Sequence, residues 1–178
     1  HVYSTILKKA RGVKFVYEDS VRKTKVQVAI RRRARLPNVT AYIGWVGYDN
    51  LGDEILYKAH MQLFSELNFV IYAPSRFANN KFQTVNVSIY KLGFLGGGTL
   101  INRSDYWLDQ INDLLGQNVP MYCFGTGVAS PEFWNLESDG LIREEWVDAL
   151  NRFEFIGIRG PLSQRYLADS GVNNTVVI

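Results

Sequence analysis

Val39-Thr-Ala-Tyr-Ile43, with Gly44-Trp-Val-Gly-Tyr-Asp-Asn-Leu-Gly-Asp-Glu54 directly behind it, decides how the chain is read. The first five residues make a short, largely apolar strand. Glycines at 44, 47 and 52 then allow a tight turn and close approach by a ligand. From Leu51 to Leu67 the apolar residues at 51, 55, 56, 59, 63, 64 and 67 have helical spacing. A strand that turns into a helix in this way points free N–H groups and the positive end of the helix dipole at an anion. Asp53 and Glu54 fall in the first helical turn, where a carboxylate complements the dipole and caps the helix. A carboxylate there also suits acid or base work on a bound sugar or enol. For Asp53 both readings stay open, whereas Glu54 reads as the cap.

Outward from this stretch the β/α alternation continues. Phe69-Val-Ile-Tyr-Ala73 is a second strand, stopped at Pro74, and residues 82–90 suit another strand or an extended loop. Lys91-Leu-Gly-Phe-Leu95 is a strand that meets Gly96-Gly-Gly98. Ser104 or Asp105 caps a helix to about Leu115, with Gly116 as its stop. Val119 to Phe124 is a strand followed by Gly125-Thr-Gly127, and Leu141 to Leu150 is a helix. Phe153 to Ile158 is a strand, Pro161 opens a helix to Ser170 with its stop at Gly171, and residues 174–178 form a last strand. The pattern predicts a Rossmann-like α/β lobe over residues 37–178, with a parallel sheet covered on both faces. Ligands bind such sheets outside the C-terminal ends of the strands. The glycine clusters at 44–52, 96–98 and 125–127 fall there. The chain ends inside its last predicted strand, and a second lobe is expected beyond it.

The first 36 residues read differently. Residues 1–35 hold 11 Lys or Arg against two acids, Glu18 and Asp19, a net +9, whereas residues 36–178 hold nine basic and 15 acidic residues, a net −6. The basic excess therefore belongs to an N-terminal segment, 1–36, and not to the lobe. Val13–Tyr17 and Lys25–Ile30 alternate at period two around a polar turn, which predicts a short basic β-hairpin or linker. The segment lacks interleaved aromatics and a binding motif, so no nucleic-acid partner is expected. The single cysteine, Cys123, has apolar neighbours and reads as a buried residue. No apolar run reaches membrane-spanning length and no signal peptide is visible; a location in the cytoplasm, or at the inner face of the membrane, is expected.

Several chemistries are absent. The turn after the first strand lacks the G-x-G-x-x-G pattern, and no acid follows the second strand, so it is no dinucleotide fingerprint. No P-loop, no G-x-S-x-G elbow and no Cys/His cluster of metal spacing occurs, and neither cofactor nor metal is expected. His60 reads as a semi-buried helix residue. What remains is a set of groups suited to an anionic ligand: Gly47, Asn50 and Gly52 in the first turn, Gly97, Gly98 and Thr99 in the second, and Gly125, Thr126 and Gly127 in the third. Arg159 ends a buried strand and is followed by Gly160-Pro161, a place for bidentate binding of phosphate or carboxylate, or for an ion pair. Asn102, Arg103 and Asp105 lie within reach of the same cleft, and Trp45 and Tyr48 within the first turn could stack on a sugar.

Ile43-Gly-Trp-Val-Gly-Tyr-Asp-Asn-Leu-Gly-Asp-Glu-Ile55, Leu95-Gly-Gly-Gly-Thr-Leu100, Phe124-Gly-Thr-Gly-Val128 and Ile158-Arg-Gly-Pro-Leu-Ser163 together resemble the polysaccharide pyruvyl transferase family, over about residues 38–178. The resemblance implies the N-terminal lobe of a two-lobed, GT-B-type enzyme. It implies transfer of pyruvate from phosphoenolpyruvate to hydroxyls of a cell-surface or secreted glycan, or of a lipid-linked saccharide, as a ketal. It also implies Arg159 as a ligand of the phosphoenolpyruvate anion and Asp53 as acid, base or acceptor contact. The family's second lobe, with further donor-site arginine, lysine and histidine, is absent from these residues, so this piece alone is expected to be inactive. The basic segment lies outside the resemblance. A nucleotide-sugar glycosyltransferase of similar architecture and a non-catalytic glycan-binding module are the alternatives, and a homo-oligomer stays open.

Overall fold

The computed structural model describes residues 28, 32, 35–47, 50–72, 89–129 and 142–178. Among them the elements run β1 (Val39–Ile43), α1 (Leu51–Leu63), β2 (Asn68–Ile71), β3 (Leu92–Gly96), β4 (Thr99–Ile101), α2 (Asp105–Leu115), β5 (Met121–Val128), α3 (Glu144–Leu150), β6 (Phe155–Ile158), α4 (Pro161–Asp169) and β7 (Thr175–Val177). The strands form one sheet in the order β2-β1-β3-β5-β6-β7, with β4 beside β5, and every pairing is parallel. This is a Rossmann-like α/β fold.

Alternating side chains along the strands explain the layering. Val39, Ala41 and Ile43 point to one face, into a core with Trp107, Ile111 and Leu114 of α2, Trp146 and Leu150 of α3, and Leu167 of α4. Tyr42 points to the other face, into a second cluster with Phe69, Phe94 and, from α1, Tyr57, Met61 and Phe64. β1 is buried throughout because both faces are covered. The α1 face is an aromatic layer: Phe69–Phe94, Phe64–Phe94 and Phe64–Phe124 stand edge to face at 5.2, 5.3 and 5.3 Å. His60 sits inside it, with Nδ1 2.7 Å from the Leu56 carbonyl and Nε2 3.1 Å from the Phe124 carbonyl. The expected buried helix histidine is therefore a tie between α1 and β5.

Three boundaries differ from expectation by three residues or more. Helix α1 stops at Leu63, not Leu67, because the chain must turn to bring the Asn68 N–H onto the Asn38 carbonyl, 3.1 Å away, and start β2. Helix α3 starts at Glu144, since the backbone N–H groups of Ile142 and Arg143 go to the Ser170 hydroxyl and the Asn102 side chain. Strand β5 does not end at Phe124. It runs through Gly125-Thr-Gly127 to Val128, with a register shift against β6 between Phe124 and Thr126. That shift is a bulge at Gly125, whose φ is +77°. The third glycine cluster is thus a kink within a strand, not a loop after one. The extra length of β5 has a partner in β4, which takes up the lane of β3 once the chain has passed Gly97 and Gly98.

The strand or loop expected at 82–90 lies outside the described residues except for Ile89 and Tyr90. The N-terminal hairpin lies outside them too, apart from Val28 and Arg32, which have helical and not extended backbone. Cys123 is fully buried, and burial pushes its thiol up to about 12. No helix among the described residues is long and apolar enough to cross a membrane.

Candidate functional site

Strands β1 and β3 lie side by side, but their connections leave in opposite directions, β1 toward β2 and β3 toward β5. Such a switch point opens a crevice at the C-terminal strand ends. The Gly44–Asn50 turn lines it from β1, and the Gly97-Gly98 turn lines it from β3.

Two residues of the first turn hold its shape. Asn50 caps α1, its side-chain oxygen accepting the Gly52 N–H at 3.2 Å. Glu54, expected to cap the helix, instead accepts the Gly47 N–H at 2.5 Å and so braces the turn ahead of it, while Asn50 is the cap. Asp53, between them in the same helical turn, makes no hydrogen bond among the described residues although it is only 7% exposed. Its Oδ1 lies 2.8 Å from where a Cβ on Gly98 would stand, and Gly98 has φ +70°. Glycine at this position lets the start of α1 meet the β3–β4 turn.

The turn itself is anchored from β5. The buried Thr126 hydroxyl donates toward the carbonyls of Gly97 and Gly98, at 3.4 and 3.3 Å, and the Gly127 N–H donates to the Gly98 carbonyl at 2.9 Å. The carbonyl ends of these peptides are thereby tied back into the sheet. Their N–H groups, which meet no acceptor among the described residues, are left for a ligand. Thr126 thus holds the Gly97-Gly98 turn from the sheet side.

Two arginines complete the set. Arg159 follows β6, with its N–H on the Thr126 carbonyl at 2.9 Å, and its exposed guanidinium donates to the Thr99 hydroxyl at 3.0 Å. The same guanidinium lies 3.3 Å from where a Cβ on Gly127 would stand. Arg103 follows β4, its guanidinium 5.4 Å from the Trp45 ring centre, and Trp45 rests edge-on against Trp107 at 5.6 Å. Burial raises the proton affinity of Asp53 above the ordinary carboxylate range. Arg103 opposes that, the Glu54 charge adds to it, and Arg159 opposes it. Behind Asp53 the Tyr42 phenol is held far above its usual range, by burial first and then by the Asp53 charge. Its hydroxyl is buried without a hydrogen-bond partner.

The crevice therefore brings together Asp53, Arg159, Thr99, Gly97, Gly98, Thr126 and Gly127. Gly47, Asn50 and Gly52 form its turn, while Gly125 supplies the bulge that aims Thr126. Asn102 and Asp105 are committed elsewhere: the Asn102 side chain accepts from Arg143, and Asp105 pairs with Arg143 at 2.6 Å, which joins α2 to α3. Trp45 supports Arg103, and Tyr48 lies outside the described residues. Arg103 is the residue that sequence reasoning undervalued. Its signal was there in Thr99-Leu-Ile101, a three-residue strand that puts Arg103 just past a strand end, as Arg159 is.

Fold and crevice define an α/β protein with an anion-suited site at the switch point of a parallel sheet. The family model for polysaccharide pyruvyl transferase matches residues 50–178, and the chain belongs to that family. No curated protein and no solved structure matched the chain. The match opens at the Asn50 cap and takes in Asp53, the Gly97-Gly98 turn, Arg103 and Arg159, while β1 precedes it. The activity that goes with the family is pyruvyl transfer, a transferase reaction with a glycan as acceptor.

Proposed function

We propose that the donor is phosphoenolpyruvate, that the product is a pyruvate ketal on two hydroxyls of a sugar, and that this crevice is the donor side of a GT-B-type two-lobed enzyme. The observation that carries the reading is Asp53, buried beneath the Gly97-Gly98 turn, with the Arg159 guanidinium braced on Thr99 directly after that turn. Phosphoenolpyruvate presents a phosphate and a carboxylate. Two guanidinium groups and outward N–H groups match that pair of anions. The chemistry needs a proton on the methylene carbon, which becomes the methyl group. One sugar hydroxyl then bonds to the adjacent carbon, phosphate leaves, and a second hydroxyl closes the ketal. The two hydroxyls together lose two protons; one balances the new C–H bond and the other leaves with phosphate or to solvent. Asp53 is placed to deliver the first and to receive one in return.

The acceptor class takes in polysaccharide and lipid-linked saccharide, and the latter would bring the protein to the inner face of the membrane. Melting the protein with phosphoenolpyruvate or with nucleotide sugars tests the donor. A hundredfold excess over Kd is worth about 2.7 kcal/mol, or roughly 5–10 °C for a chain of this size. Phosphoenolpyruvate should give the shift. A shift with nucleotide sugars alone would overturn the reading in favour of a glycosyltransferase.

A further inference from the structure

Arg159 is exposed, yet it is held at both ends. Its backbone N–H donates to the Thr126 carbonyl of β5 at 2.9 Å. Its guanidinium donates to the Thr99 hydroxyl of β4, 60 residues away in sequence, at 3.0 Å. On the way the side chain passes over Gly127. A Cβ there would stand 3.3 Å from Arg159 Nη2, 3.6 Å from Thr99 Oγ1 and 3.6 Å from Ser163 Oγ. The first of these is a tight contact. Gly127 is not among the glycines with left-handed backbone, so what this position uses is the missing side chain and not a special torsion. The strand beneath the guanidinium is itself fixed: the Gly127 N–H donates to the Gly98 carbonyl at 2.9 Å, and the Val128 N–H to the Ser163 hydroxyl at 3.2 Å.

We propose that Thr99 and Gly127 are positioning residues for Arg159. Thr99 holds the guanidinium in place before an anion arrives, and bare Gly127 leaves it a clear path across β5. The brace is neutral, and that matters. A hydroxyl occupies one guanidinium donor and leaves the positive charge whole, whereas a carboxylate in its place would compete with an anionic ligand. Among the described residues no ion pair engages Arg159. A loose arginine must be ordered when it grips an anion, which weakens affinity by roughly 2- to 13-fold. An arginine already braced has lost that freedom in folding. Thr99 thus acts through Arg159 and not on the ligand. The inference deepens the reading of Arg159 as a phosphoenolpyruvate ligand and rests on that reading for the effect on binding, but not for the brace.

A double-mutant cycle read by calorimetry with phosphoenolpyruvate tests the effect on binding. Thr99→Val keeps the branched side chain and removes the hydroxyl; affinity should fall roughly 2- to 13-fold. Thr99→Ser restores the oxygen and should restore the affinity. Gly127→Ala should weaken binding without lowering the melting temperature, because alanine suits a strand better than glycine. In an Arg159→Ala background neither Thr99→Val nor Gly127→Ala should have a further effect. A loss from Thr99→Val that persists undiminished in that background overturns the proposal, and so does wild-type affinity in Thr99→Val when Arg159→Ala is weakened. Nitrogen NMR of the ligand-free protein reads the brace directly. Rotation of the Arg159 guanidinium should be slowed in wild type and Thr99→Ser and released in Thr99→Val. Equally free rotation in all three overturns the brace whatever phosphoenolpyruvate does. Slowed rotation in wild type, together with unchanged phosphoenolpyruvate affinity in Arg159→Ala, would uphold the brace and refute the donor reading of Arg159.

Discussion

Replacing Gly98 by Ala asks whether the β3–β4 turn truly presses on Asp53. Gly98 sits at φ +70° and its added Cβ would meet Asp53 Oδ1 at 2.8 Å, whereas Gly171, past the end of α4 and outside the crevice, sits at φ +93° and an added Cβ there meets nothing within 4 Å. The pair separates backbone strain from contact. Left-handed backbone costs a non-glycine residue about 1–2 kcal/mol, so both alanine variants should melt about 2–8 °C lower. The clash at Gly98 is with the end of a side chain that can swing, so it adds little to that loss of stability. It displaces the carboxylate instead. Moving a reacting group by about 1 Å costs on the order of 100-fold in rate. Gly98→Ala should therefore lose pyruvyl transfer by about that factor, with Gly171→Ala within a few-fold of wild type, measured with both proteins folded well below their melting points. Equal activity in the two variants would refute the contact and, with it, the placement of Asp53 under the turn.

Asp53→Asn should abolish transfer by roughly 100- to 10,000-fold while raising the melting temperature at neutral pH. The sign follows from a folded-state proton affinity above the ordinary carboxylate range: the wild type is most favoured below the ordinary Asp value of about 3.9 and loses stability as pH rises from there through the folded pKa, so the gap between the two proteins should close toward about pH 4. Tyr42→Phe removes a buried hydroxyl without a partner and should leave stability unchanged or higher; chemical denaturation showing a loss above about 1 kcal/mol would mean the hydroxyl is bonded. Arg159→Ala should weaken phosphoenolpyruvate binding about tenfold or more, the worth of one charge-assisted hydrogen bond, while the melting temperature of the free protein moves by no more than about 2 °C because the side chain is exposed.

The lobe was legible from residue 39 onward because buried strands and amphipathic helices leave different periods, and because Ser104, Gly116 and Pro161 sit where helices start or stop. The ends of β5 and the existence of β4 were not legible. A glycine-threonine-glycine sequence looks like a loop until a neighbouring strand pairs with it, and three residues are too few to show a period. Asp53 and Arg159 were legible as candidates from their place after strands. Whether Asp53 caps or reacts was not, since Asn50 and Glu54, four residues apart, could each have shared the capping with it, and only the hydrogen bonds show that they hold the turn without it. Arg103 was obscured for the same reason as β4. The distance between strand ends depends on sheet order, which no local pattern encodes.

Sheet order also sets a scale for the ligand. Asp53 follows β1 and Arg159 follows β6, three lanes away, or about 14 Å at the usual spacing between strands. Arg159 crosses much of that gap by lying over Thr99, which continues the lane of β3. The guanidinium thus works at arm's length, braced at a fixed point on the way. The repeat of the β-sheet acts here as a ruler, and it spaces the strand ends that carry Asp53 and Arg159 before either side chain is placed.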